Sequence, residues 1–454
     1  MNLPPDLSGV VPSLCLKAGL GPPRSECGVG ALMAWADRLW AVSYVSCLRN
    51  SGVDTGLYEI DESLRMTKRP ESRTGVFANR FIHCPSNQLV IGPYVIDAHR
   101  NVRTIEGVDV RLCATMSHLQ DPANKVYLLG MEGEFFEMDM HTLQARQLFD
   151  LTKELNLLYV HFKAGYTGFG RVVVADNSYD DEEFRDARQA GCLAEWDGRV
   201  WRVLERAPFV EVTGRGKHVP IFATGWDRAS AILKVLIPGS ESWSTYRLPK
   251  ASHTFDHMWA TEWPRIRETE HERFLMDCHG MFYELPQWQY GGRVWGIRPI
   301  ATHLWVLGDF CSYRGLLVLG ADNASTAGAD NPFHGEPQSG IWFGKTDDLW
   351  RFGKPRGWGG PWWRTPVRAG VPSDPFLMTG FDRKVLHLSH AARDTLAFTV
   401  EIDFLGDGSW HVYDTFRVPA GGYAHHEFPN GFSAHWVRVT ADTDAVATGH
   451  FHYT

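Results

Sequence analysis

An all-β chain is predicted: a seven-bladed β-propeller over residues 28–368, a C-terminal β-sandwich over 371–454 and an N-terminal extension over 1–27. Three observations predict it. Trp and Gly are abundant together, at 18 and 44 of 454 residues, which favours short strands, tight turns and flat stacking surfaces. A short aromatic-centred pattern returns at blade-like intervals. Beyond Gly370 the texture changes to a steady period-two alternation.

The recurring pattern is a turn, an apolar residue, an aromatic, a polar residue, another apolar residue and a second turn. It reads Gly56-Leu57-Tyr58-Glu59-Ile60-Asp61, then more loosely Gly92-Pro93-Tyr94-Val95-Ile96-Asp97, then Gly133-Glu134-Phe135-Phe136-Glu137-Met138-Asp139. Further copies centre on Trp201, Tyr246 and Phe282-Tyr283, and Asp347-Asp348-Leu349-Trp350-Arg351-Phe352 closes the set. Aromatics at 58, 94, 136, 201, 246, 283 and 350 are 36, 42, 65, 45, 37 and 67 residues apart. Four intervals suit a four-stranded blade, and two suit a blade with an insertion of about 25 residues. Aromatic-centred strands also recur by chance in any Trp-rich β protein, and that alternative covers the looser copies.

In the C-terminal stretch the runs Lys384-Val385-Leu386-His387-Leu388, Ala397 to Phe404 and His435-Trp436-Val437-Arg438-Val439 alternate strictly. Turn signals at Gly406-Asp407-Gly408 and Pro419-Ala420-Gly421-Gly422 separate them, as in a compact antiparallel sandwich. Its faces read as packing rather than chemistry.

Composition excludes several classes. A net charge of −8 argues against nucleic acid as the main partner, since phosphate binding needs a concentrated basic face. No apolar run reaches the roughly 18–20 residues of a membrane helix, so no membrane partner is expected. Pro4, Pro5 and Asp6 stand where a signal peptide needs positive charge and an unbroken apolar stretch. The chain is therefore expected to stay where it is made, with secretion or a periplasmic location the alternative for a processed start. Eight Cys without a Cys-x-x-Cys pair demand neither disulfides nor a zinc knuckle.

Candidate chemistry gathers where inner strands would begin. His83, His118, His161, His257 and His303 fall near such entries, at intervals of 35, 43, 96 and 46. The richest segment runs from Tyr159 to Val174 and packs His161, Lys163, Tyr166 and Arg171 into a glycine-rich loop before an apolar strand. A cation there would neutralise a carboxylate while Tyr or His moves a proton at the adjacent carbon. The bland alternative is a hairpin with Tyr166 in the core and the cations solvated. A second segment pairs Arg80 with His83, and a third spans Met276 to Gly280, Ile297 to His303 and Asp309 to Gly315. Substrate contacts are assigned to Arg80, Lys163, Trp226, His279, Arg298, His303 and Arg314. Cys278, His279, His303 and Cys311 are metal-type ligands without a compact spacing, so a structural zinc or calcium ion stays open. Gly357-Trp358-Gly359-Gly360-Pro361-Trp362-Trp363 would stack on sugars or fill a joint. Neither a Gly-x-Ser-x-Gly elbow, a P-loop nor a His-Glu-x-x-His motif is present, and the sialidase Asp-box is not repeated.

The segment from His161 to Asn177, with Gly165-Tyr166-Thr167-Gly168 and Gly170-Arg171-Val172-Val173-Val174-Ala175-Asp176-Asn177, resembles the β-propeller polysaccharide lyases. That group includes the ulvan lyases, the rhamnosyl-glucuronate lyases and related propeller glycosidases. The resemblance implies β-elimination at a uronic acid in a glycan substrate, with no cofactor required. It assigns catalysis to His83, His161, Tyr166 and Arg171. The Tyr-to-Arg spacing of five residues is shorter than in ulvan lyases. Glycoside hydrolysis on the same scaffold and a non-catalytic glycan-binding propeller remain the alternatives.

Overall fold

The computed structural model describes residues 8–10, 14, 16–17, 26–45, 56–158, 160–178, 191–252, 264–288, 293–294, 296–321, 324–325 and 338–454. The chain forms two compact units. One comprises Met1–Thr213, Arg265–His271 and Trp305–Asp348, the other Gly214–Pro264, Glu272–Leu304 and Leu349–Thr454.

Within the first unit seven strands lie side by side. They are β1 (Glu26–Trp35), β2 (Arg80–His83), β3 (Leu112–Ser117), β4 (Phe162–Gly168), β5 (Phe209–Thr213), β6 (Arg265–Glu270) and β7 (Leu307–Tyr313). Each neighbours the next, and β7 returns to β1, so the set closes on itself. From β1, β2, β3 and β4 the chain runs outward through three further antiparallel strands. The sheet of β7 continues through Leu316–Ala321 and Ile341–Gly344, and its outermost strand is Gly9–Val10, with Gly9 paired to Phe343. Meanders form here because runs such as Val126-Tyr127-Leu128-Leu129 bury both faces between neighbouring sheets.

The aromatic-centred copies become the strands Leu57–Ile60, Tyr94–Asp97, Glu134–Asp139, Trp201–Glu205, Ser244–Leu248 and Met281–Pro286. Their closing aspartates have a defined task. Asp61, Asp97 and Asp139 each turn a carboxylate back onto two backbone N–H groups of the following turn, at 2.8–2.9 Å. The copy at Trp350 departs from the pattern, because Thr346–Arg351 is a 3-10 helix. Trp201 lies on the fourth strand of its sheet, whereas Phe136 lies on a third strand, which accounts for only a few residues of the long interval between them.

Four of the seven neighbouring strands break register near their start, at Gly30, Cys113, Lys163 and Gly308. Such bulges bend a strand and re-aim its side chains. Gly30 is required for a second reason: a Cβ there would run into the carbonyl of Phe77 just ahead of β2.

In the second unit, Phe376–Leu377 pairs in parallel with Ser244–Leu248 through Arg247 and Phe376. The boundary expected near residues 368–371 is therefore bridged by a shared sheet. Beyond it come β8 (Gly357–Val367), β9 (Lys384–His390), β10 (Leu396–Asp403), β11 (His411–Val418), β12 (Tyr423–Glu427), β13 (Trp436–Ala441) and β14 (Ala445–Tyr453). One sheet has the order β8-β14-β9-β12, and β13, β10 and β11 extend the other. Their apolar faces meet: Phe376 stacks on Phe451 at 5.3 Å, and Trp362 lies 6.4 Å from Phe398. Among the described residues no helix is long and apolar enough to cross a membrane.

Candidate functional site

The first unit concentrates buried charge on its ring of strands. Arg80 of β2 reaches the carbonyls of Leu32 at 2.5 Å and Phe310 at 3.3 Å, and its Nε meets Asp309 Oδ2 at 3.0 Å. Asp309 of β7 also accepts the Leu32 N–H at 2.8 Å. Its other oxygen takes Arg267 Nε of β6 at 2.7 Å, and Arg267 Nη1 continues to Glu211 of β5 at 2.8 Å. Arg265 donates to the Gly308 carbonyl at 3.0 Å. The clasp thus joins β5, β6, β7, β1 and β2. Asp309 and Glu211 are buried, at 1% and 5% side-chain exposure, while the guanidiniums of Arg80 and Arg267 keep 13% and 15%.

Electrostatics follow from that count of partners. Burial pushes the Asp309 carboxyl up, but Arg267 and Arg80 together outweigh it and hold the group below the usual carboxylate range. Burial pushes Arg267 down, and its two carboxylates outweigh that, so its cation is secured. Arg80 shares Asp309 with Arg267, and for it burial prevails, so its pKa falls. The neighbouring Cys311 thiol is pushed up to about 12 by burial, which removes it as a thiolate nucleophile at neutral pH.

The residues expected to be catalytic are distributed differently. His83 ends β2 and caps the turn Cys84–Ser86: its Nδ1 accepts from Ser86 N and Oγ at 3.3 and 2.6 Å, and its Nε2 donates to the Pro122 carbonyl at 3.0 Å. Both ring nitrogens are engaged. His118, just past β3, repeats the device, accepting from Gln120 N and Asp121 N at 3.2 and 2.9 Å and stacking on Tyr127 at 4.3 Å. The regular interval between these histidines is thus a capping register. His83→Ala is expected to cost about 1–2 kcal/mol of stability in a denaturant titration. Burial holds the His83 imidazole below its ordinary 6.5. The cap therefore stabilises fully above pH 6.5 and is lost as pH falls through the lower folded value.

His161 stands immediately before β4, where its N–H donates to Asp176 Oδ1 at 2.7 Å. Arg171 pairs with Gly168 at the far end of the hairpin, about 20 Å away at the usual rise per residue, and bonds Glu195 at 2.9 Å. Tyr166, opposite Val173, shares a hairpin face with Arg171, so these two are brought together and His161 is not. Lys163 occupies the β4 bulge, buried with its Nζ 4.0 Å from Met131 Sδ. Arg314 is exposed in the turn after β7, with φ 52°.

The remaining candidates belong to the second unit. Trp226 meets His279 edge-on at 5.4 Å, both buried. Arg298 lies over Trp350 at 4.8 Å and bonds Glu284 at 3.2 Å. His303 bonds Asp277 at 2.9 Å and stacks on Phe282 at 4.3 Å. His257 lies outside the described residues. No group of three or more His, Cys, Asp or Glu able to hold a metal occurs among the described residues.

Sequence reasoning named Arg80 but missed Glu211 and Arg267, and touched Asp309 only as the start of a segment. A signal existed for two of them: Glu211 in Phe209-Val210-Glu211-Val212 and Asp309 in Leu307-Gly308-Asp309-Phe310 are lone charges inside mostly apolar strands, whereas Arg267 sits in the charged run Arg265–Glu270.

No family model matches the sequence, and no curated protein matches it. Solved structures to which the chain is similar include U3-55K at 10% identity, covering 74% of this chain and 100% of that one, with a TM-score of 0.43. The WD40 repeats of RRP9 give 10% identity, coverage of 75% and 100%, and a TM-score of 0.42. A luciferin-regenerating enzyme gives 9%, 74% and 95%, and 0.38.

Proposed function

We propose that the chain is a seven-bladed β-propeller with a C-terminal β-sandwich, and that it recognises a glycan without transforming it. In this architecture Gly9–Val10 closes the last blade. One observation carries the non-catalytic reading: four charged side chains of the inner strands are spent on one another and on backbone carbonyls in the Arg80–Asp309–Arg267–Glu211 clasp. Catalytic groups instead need donors aimed at a substrate. His83, engaged at both ring nitrogens, fits the same picture.

β-Elimination at a uronic acid is the second reading, favoured by Tyr166 and Arg171 sharing a hairpin face. Long incubation with uronate oligosaccharides separates the two. Recognition alone predicts bound sugar that is recovered intact. Unsaturated uronate detected in the ultraviolet, and abolished by Tyr166→Phe, would establish elimination. Reducing ends released without that product would instead establish hydrolysis.

A further inference from the structure

The outer face of the β8-β14-β9-β12 sheet carries a feature that alternation alone made look like packing. Its register sets His387 opposite both His450 and His425, with Val385 opposite His452 and Ser389 opposite Tyr423. Four imidazoles and a phenol therefore share one side, while Leu386, Leu388 and Phe451 point to the core. The rings form a continuous layer. His387 lies 4.8 Å from His452, His452 lies 5.6 Å from His450, and Trp363 meets His450 at 5.4 Å. Tyr423 stacks on His425 at 5.9 Å and its hydroxyl bonds His387 Nδ1 at 2.8 Å. Tyr423 and Trp363 stay 58% and 43% exposed, so two broad ring surfaces face water.

Charge on this face depends on pH. The groups around His387 are His450 and His452 on β14, Tyr423, His425 and Glu427 on β12, Arg383 just before β9, and Arg364 beside Trp363 on β8. Burial, then repulsion from His452 and His425, holds the His387 imidazole below its ordinary value. Its Nε2 is buried beneath the neighbouring rings and meets no hydrogen-bond partner among the described residues. Protonating His387 is costly unless an anion lies across the face, so anion binding and proton uptake by His387 reinforce one another.

We propose that this face is a pH-gated binding site for an acidic polysaccharide. Sugar rings lie on Tyr423 and Trp363, and carboxylate or sulfate groups lie over the exposed rings of His425 and His452, where they favour a proton on His387 beneath. The inference rests on the recognition reading above and gives it a place and a ligand class. Charge complementarity selects an anionic ligand, and the exposed ring planes select a saccharide. A peptide would instead be expected to add to an exposed strand edge through backbone hydrogen bonds, whereas His387, His450 and His452 lie on the two central strands of the sheet.

The test titrates the full chain with polygalacturonate, neutral dextran and polyglutamate by calorimetry at about pH 5.5 and about pH 7.5, which bracket histidine titration. Polygalacturonate is expected to bind at least about tenfold more tightly at the lower pH. A His387→Gln/His452→Gln variant should lose that gain, and Tyr423→Ala should weaken binding at both pH values. Unchanged thermal unfolding would show that the variants fold. Binding that is pH-independent, or that persists in the double variant, overturns this site while leaving recognition standing. Polyglutamate binding as tightly as the sugar overturns the ligand class. Failure of polygalacturonate to bind overturns the inference outright. Accumulation of a cleaved product counts against the non-catalytic reading, independently of where the sugar docks.

Discussion

Replacing Asp309 with alanine is expected to remove about 3–5 kcal/mol from the unfolding free energy, the largest loss available from one polar residue here. Two guanidiniums, Arg80 and Arg267, would be left in a low-dielectric setting, with Glu211 still paired to Arg267 and Arg80 without its carboxylate. The Leu32 N–H would also lose its acceptor. Urea denaturation monitored by tryptophan fluorescence measures it. A loss below about 1 kcal/mol would mean that water, not Asp309, satisfies the two cations. Adding Arg80→Met to Asp309→Ala should recover part of the loss, because one uncompensated charge is removed with it. The pH dependence has a definite sign. Asp309 titrates below its ordinary 3.8 when folded, so its contribution is complete above pH 3.8. It is lost as pH falls through the lower folded value, and the gap between parent and variant should close there.

Trp436→Ala is expected to cost about 3–5 kcal/mol, through the cavity left by a fully buried indole. The ring packs on Tyr246 at 4.8 Å, and its Nε1 donates to the Val294 carbonyl at 3.1 Å. It therefore ties the C-terminal strands to residues far upstream within the second unit. Trp436→Phe should retain most of the packing and forfeit mainly the hydrogen bond, for a loss of about 1–2 kcal/mol. If Trp436→Ala melted only the C-terminal strands, leaving the rest of the unit with its original transition, the sharing of one cooperative core would be disproved.

Much of the strand pattern was legible because it is local. The aspartates closing the copies at 61, 97 and 139 fix turns within four residues, so the signal repeats wherever the chain turns. Alternation in Lys384–His390 likewise reports a face directly. Function was harder to read for a physical reason. His83 and His118 recur in register because each closes its own turn, and spacing cannot tell a capping imidazole from a catalytic one. The clasp was less accessible still, since its members are up to 277 residues apart and meet only through the closure of the ring. The cluster on β9, β12 and β14 needs cross-strand register, which no single segment contains.

The pairing of Gly9 with Phe343 bears on how the chain is made. Gly9 meets its partner only after the more than 300 residues between it and Phe343 have followed it from the ribosome. Until then both ladders stay bare, and nascent copies crowded on one message could zip to each other instead. Slow synthesis through the stretch leading up to Phe343 would lengthen that exposure, so soluble yield should depend on elongation speed there.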